Sequence, residues 1–180
     1  TLSDKTNLDI QATDLSFVAG KTAGTITVTN AIDINGSATE VATAMKETGL
    51  TAKTANVTLT DKPHDLQELI DINDRTTGSI TIHANRRNIA LSGSAKDLAA
   101  ALDGITNYTG AITVTGIAHT LDELKTINNA TNGNITLSLP GTDLEGSTAD
   151  VKAALDGTIV NGYKGNITIS DQKDIAIQAV

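Results

Sequence analysis

The sequence predicts an α/β fold, specifically a parallel α/β solenoid of three cycles of roughly 55 residues, each running short helix, strand, extra strand, long helix, strand. Three observations carry that expectation. The stretch His119-Thr-Leu-Asp-Glu-Leu-Lys-Thr-Ile-Asn-Asn-Ala-Thr-Asn-Gly-Asn-Ile-Thr-Leu-Ser138 repeats His64-Asp-Leu-Gln-Glu-Leu-Ile-Asp-Ile-Asn-Asp-Arg-Thr-Thr-Gly-Ser-Ile-Thr-Ile-His83 at one constant offset. His119 falls on His64, Leu121 on Leu66 and Ile135 on Ile80, and a fixed period marks a repeat architecture. Six segments share a strict alternation of aliphatic and polar residues. Five helix starts carry one capping device. A repeat buries its apolar face only against its neighbours, so residues 1–180 read as one repeat domain. Within it, 31–172 are expected to be regular, 1–30 an atypical cap or strand-rich junction, and 173–180 an open strand.

The six strand segments are 25–29, 56–60, 79–83, 111–115, 134–138 and 166–170. Period two sends the second and fourth residues of each to one face and the central threonine to the other. Thr27, Thr58, Thr81, Thr113, Thr136 and Thr168 are thereby expected to form a ladder on the outer face of one six-stranded sheet. Gly24, Gly78, Gly110, Gly133 and Gly165 each precede a segment, where a left-handed helix-ending conformation is the expected reason for glycine.

Two kinds of helix alternate ahead of these strands. The short kind carries Leu66, Leu69 and Ile72, and again Leu121, Leu124 and Ile127. The long kind carries Val41, Ala44 and Met45, then Leu98, Ala101 and Leu102, then Val151, Ala154 and Leu155. Spacings of three and four give one apolar stripe per helix, suited to lying on a sheet. Capping pairs open them: Ser37 with Glu40, Asp65 with Glu68, Ser94 with Asp97, Thr120 with Glu123, Ser147 with Asp150. A weaker extended series, Ile32-Asp-Ile34, Ile89-Ala-Leu91, Thr142-Asp-Leu144 and Ile175-Ala-Ile177, supplies the extra strand.

The phrases Thr120-Leu-Asp-Glu-Leu-Lys-Thr-Ile-Asn-Asn-Ala-Thr-Asn-Gly-Asn-Ile-Thr-Leu137 and Leu91-Ser-Gly-Ser-Ala-Lys-Asp-Leu-Ala-Ala-Ala-Leu102 resemble tandem repeats of very large bacterial extracellular proteins. Such repeats are prominent in cyanobacterial cell-surface and RTX-type secreted proteins, and similar ones occur in marine phage structural proteins. The resemblance covers about residues 30–177. It implies a structural, adhesive or filament-forming role outside the cell or at its surface, and it carries over no catalytic residue. The calcium-binding Gly-Gly-x-Gly-x-Asp nonapeptides of RTX modules are missing from this chain.

Composition narrows the chemistry further. A net charge of −8 and a pI of about 4.7 argue against nucleic acid, which needs a basic face. Aromatics are 2% of residues and tryptophan is absent, which disfavours base stacking or an aromatic sugar platform. Without cysteine there is no disulfide framework, thiolate metal site or thiol nucleophile. No apolar run is long enough for a membrane span. The chain opens on Thr1 rather than Met, as expected of a processed or excised segment.

The remaining polar residues read as structural. His64 and His119, one cycle apart, would stand roughly 10 Å from each other, too far to share an ion bound at about 2 Å, and are expected simply to precede helix caps. His83 reads as a solvated substitution for threonine on the outer face. Asp71, Asn73 and Asp74, with Asn128 and Asn129, hint at an oxygen-rich cation site, but the glycine and terminal glutamate of an EF-hand are lacking. No catalytic residue and no cofactor beyond weak surface calcium is expected. The functional expectation is therefore a stiff rod, adhesin stalk or head-to-tail filament whose partner is itself. Leu8 and Ile10 at one end and Ile175 and Ile177 at the other are the expected self-association strands. The alternative is a surface for ice or a glycan formed by the threonine ladder.

Overall fold

The protein is described by a computed structural model covering residues 9–28, 32–139, 141–160 and 162–171. The expectations resting on Leu8, Ile175, Ile177 and the 173–180 strand lie outside these residues. Along the chain, β1 (Asp9–Gln11) leads into α1 (Ala12–Ala19), and β2 (Ile26–Thr27) and β3 (Asp33–Gly36) into α2 (Ala38–Lys46). Next come β4 (Leu50–Thr51), β5 (Asn56–Leu59) and α3 (Leu66–Asn73). β6 (Ile80–Ile82), a 3-10 turn (Ala84–Arg86) and β7 (Leu91–Gly93) precede α4 (Ala95–Leu102). The order ends with β8 (Ile112–Val114), α5 (Leu121–Ala130), β9 (Ile135–Leu137), β10 (Leu144–Gly146), α6 (Thr148–Leu155) and β11 (Ile167–Ile169).

The class is mixed α/β, and every described strand pairing is parallel. Successive pairings advance along the chain by a nearly constant step: Ile34 lies opposite Val57, Val57 opposite Ile80, Leu91 opposite Ile112 and Ile112 opposite Ile135. Each helix packs on the next, from α1 through α6, and turns its apolar stripe toward the strands. Val41, Ala44, Leu69, Ile72, Leu98, Ala101 and Ile127 are among the fully buried side chains, as the spacing of three and four requires.

The helix starts follow the capping pattern in two grades. Ser37, Asp65 and Thr120 form complete capping boxes with Glu40, Glu68 and Glu123. Ser94 and Ser147 accept the amides of Asp97 and Asp150, but those aspartates, one methylene shorter, bond the serine hydroxyl instead. The ordering of helix lengths is corrected: α5, of the expected short kind, has 10 residues, against 8 in α4 and α6. Both kinds bury a two-turn stripe, and neither stripe calls for more helix than the other. Within the segment expected to be an atypical cap or junction, the described residues hold β1, which pairs with β3, and α1, whose Leu15 is buried. Its departure is an uncapped start, since Gln11 makes no side-chain cap.

A single six-stranded sheet is not what forms. Among the described residues there are four small sheets, ordered β1-β3-β5-β6, β2-β4, β7-β8-β9 and β10-β11. The extra strands cause the partition: β7 and β10 each open a new sheet by pairing with the strand beyond the following helix. Two seams result, one between β6 and β7 and one between β9 and β10.

The glycines before the strands also differ from expectation. Left-handed backbone occurs at Gly49, Gly104, Gly116 and Gly162, and none of the five pre-strand glycines is among them. Gly110 is instead pressed against the Ile89 carbonyl and Gly133 against the Gly110 carbonyl, so each admits the backbone of the preceding step.

Candidate functional site

The threonine face and the two seams are where polar chemistry gathers. On the strands the aliphatic residues point inward, and Val57, Leu59, Ile80, Ile82, Ile112, Val114, Ile135 and Leu137 are buried. The threonines point outward. Thr58 lies opposite Thr81, and Thr113 opposite Thr136, in register on neighbouring strands. Thr27 faces Thr51 and Thr168 faces Glu145. The six threonines therefore divide among four sheets, and the matched runs are pairs rather than a column of six. Thr27, Thr58, Thr113 and Thr136 are half-buried, while Thr81 and Thr168 are exposed.

At the first seam, His64 occupies the position just before the Asp65 cap of α3 and is only 6% exposed. Its Nε2 stands 3.0 Å from the hydroxyl of Tyr108, a residue lying between α4 and β8. Tyr108 donates its single hydroxyl proton to the Ile89 carbonyl at 2.6 Å, so the histidine must donate from Nε2 and carry its proton there. The rings meet edge to face with centroids 5.9 Å apart. Burial raises the Tyr108 hydroxyl pKa well above its ordinary value.

The second seam repeats the arrangement. His119 precedes the Thr120 cap of α5 and is 6% exposed; its Nε2 lies 3.0 Å from the Tyr163 hydroxyl, which donates to the Thr142 carbonyl. The ring centroids are 5.6 Å apart. His119 Nδ1 is buried without a hydrogen-bond partner. A short amide bond marks the other end of each seam: Asn73 donates to the Ala101 carbonyl at 2.9 Å, and Asn128 to the Ala153 carbonyl at 2.8 Å.

The first cycle shows what the histidine replaces. Ile10 holds the same place before the α1 cap, and there β1 pairs directly with β3, Ile10 opposite Ile34. With isoleucine the strand joins its neighbour. With histidine the side-chain chain His–Tyr–carbonyl takes over, and β7 and β10 remain sheet edges. Expectation placed His64 and His119 ahead of helix caps, which is where they lie, but missed their burial and both tyrosines. The signal was present: the only two tyrosines of the chain, Tyr108 and Tyr163, are separated by the same repeat offset as the two histidines.

The other flagged residues are engaged in local structure. Asp71 pairs with Lys46 and accepts from Gln67 at 3.0 Å; these bonds hold its carboxyl below the usual carboxylate range. Asn73 is held by its amide nitrogen on the Ala101 carbonyl, and Asn128, likewise held on Ala153, keeps a buried Oδ1 without a hydrogen-bond partner. His83 is exposed and accepts the Asn85 amide through Nδ1 at 3.3 Å, heading the 3-10 turn. Lys125 of α5 reaches Asp150 of α6 at 2.8 Å, and this bond lowers the Asp150 pKa and raises that of Lys125. No group of three or more His, Cys, Asp or Glu among the described residues is placed to hold a metal ion. No described helix is long and apolar enough to cross a membrane.

No protein-family model, curated protein or solved structure matches this chain.

Proposed function

We propose that the chain is a non-catalytic, extracellular or cell-surface structural repeat protein: an α/β solenoid serving as a stiff rod, an adhesin stalk or a subunit of a head-to-tail filament. The observation that carries this reading is the nearly constant parallel step from strand to strand in the two larger seam-bounded ladders. Among the described residues most polar groups recur once per cycle and serve caps and inter-step bonds, a pattern suited to a structural repeat rather than to a singular catalytic constellation. The resemblance to tandem repeats of giant bacterial surface proteins points the same way.

The partner is a further step of the same kind, from a second copy or from more repeats of a longer chain. β11 has one described strand neighbour, β10, and its Ile167 and Ile169 are 43% and 49% exposed. Among the described strands β1, carrying Ile10, pairs with β3 alone. Such edges recruit parallel strands, and a head-to-tail contact of this type builds an open fibre rather than a ring. Light scattering and electron microscopy of the 180-residue chain test the self-assembling form. Concentration-dependent growth into short fibres, reduced by Ile169→Lys, is the expected result, and a concentration-independent monomer would overturn it.

The second reading, ice or glycan binding by the threonine face, draws on the in-register pairs Thr58–Thr81 and Thr113–Thr136. Their separation by a seam limits each matched patch to two strands, and this places the reading behind the first.

A further inference from the structure

We infer that the two buried His–Tyr–carbonyl units are acid-sensitive joints, at which protonation of the imidazole opens the seam between successive sheets. The inference is independent of whether the chain forms a rod.

Geometry supplies the reason. Each unit uses its polar capacity in one direction: imidazole Nε2–H to tyrosine oxygen, tyrosine O–H to a backbone carbonyl. A second proton must go to Nδ1. At His119 that atom is buried with no acceptor in reach, so the imidazolium would be an unpaired, desolvated donor. No space is left to reorient the ring there, because Gly141 is packed against it: a Cβ on this glycine would lie 2.5 Å from Cε1 of His119 and 2.5 Å from the Tyr163 hydroxyl. At His119 the neutral ring fits the seam and the charged ring does not; His64 shares the Nε2–H to tyrosine bond and the burial. At the first seam no named strands pair across the unit among the described residues; at the second the backbone link is short, an isolated parallel bridge from Ile135 to Ile159 with the Thr142 amide on the Ile117 carbonyl.

The charged surroundings do not reverse this. His64 faces Asp65 and Glu68 at the start of α3 and Arg86 of the 3-10 turn, with Lys62 on its own loop and Glu40 of α2 across the adjoining groove. Burial lowers its pKa and outweighs the two acids, and Arg86 acts in the same direction as burial. His119 faces Glu123 of α5 and the Tyr163 hydroxyl; burial again lowers its pKa against the carboxylate.

The sign follows. A folded pKa below the unfolded value means that the closed seam keeps its full advantage above the free imidazole pKa of about 6.5 and loses it as pH falls. At pH 5.5 a solvated imidazole is about tenfold more protonated than neutral. A seam whose closed form stays neutral therefore opens up to about tenfold more often than at pH 7.5. The carboxylates with lowered pKa, Glu40, Asp61, Asp71 and Asp150, release their contribution only in more acidic solution, so the two effects separate.

The test is amide hydrogen exchange on the full chain at pH 7.5 and 5.5, corrected for intrinsic rates, with NMR titration of the imidazoles. Amides of 64–66, 87–91 and 106–110, and of 117–121 and 141–144, are expected to exchange up to about tenfold faster at pH 5.5. Those of 57–60 inside the four-stranded sheet are expected to be unchanged. A His64→Gln/His119→Gln variant, whose amide can donate to the tyrosine but does not titrate, should lose the acid response. An acid response that persists in this variant would overturn the inference. The titration needs no variant: protonation of His64 and His119 with no change in seam exchange would overturn it equally, and protonation that coincides with seam opening supports it.

Discussion

Gly110→Ala is expected to cost about 3 kcal/mol or more, a large share of the stability of a domain this size. A Cβ at residue 110 would meet the Ile89 carbonyl group, with its carbon at 2.7 Å, and Tyr108 Cε1 at 2.8 Å. The first obstacle is backbone, and the second is the ring that holds the seam. Neither can yield without separating two steps of the stack. Gly24 occupies the same place in the sequence pattern, yet a Cβ there meets nothing closer than the Thr22 hydroxyl at 3.4 Å. Gly24→Ala should therefore cost under about 1 kcal/mol. Urea melts of the two variants measure the contrast. Similar midpoints for both would contradict the close-approach account of these glycines.

Truncation of Leu124 or Leu102 to alanine is the second large effect, expected at about 2–5 kcal/mol. Both side chains are buried, and their helices lie between two others: α5 packs on α4 and α6, and α4 on α3 and α5. The cavity cannot be closed by moving one helix without loosening its contact on the other side. Thr113→Val, by contrast, alters a half-buried residue on the outer face and should cost under about 0.5 kcal/mol. Comparable losses for Thr113→Val and Leu124→Ala in urea melts would show that the threonine face is as buried as the core.

Much of this fold was legible because its signals are local. The Ser37, Asp65 and Thr120 boxes depend on a residue three positions away, and the inward isoleucines on period-two alternation. The sheet partition was not, because it depends on which edge a strand reaches after a helix. β4 has only Leu50 and Thr51, too short for alternation to show, yet it is the partner of β2. β10, from the weak Thr142-Asp-Leu144 stretch, is a full partner of β11. The seam units escaped for a related reason. A histidine before a cap looks solvated until a tyrosine far along the chain is folded onto it. Glycine before a strand suggests a left-handed turn, and only the three-dimensional neighbour reveals that the demand is for space.

The central claim is that each step stacks on the last in parallel register and that the stack is interrupted at the seams. The chain contains no cysteine, so nitroxide labels can be placed at will on cysteines introduced at the threonines. Paired strands stand about 4.8 Å apart, well inside the range of dipolar broadening in continuous-wave EPR. Labels at Thr58 and Thr81, and at Thr113 and Thr136, are predicted to broaden each other strongly. Labels at Thr58 and Thr51, which lie in different sheets, are predicted to broaden each other less. Sharp, non-interacting spectra from the 58/81 and 113/136 pairs would contradict the stacked register.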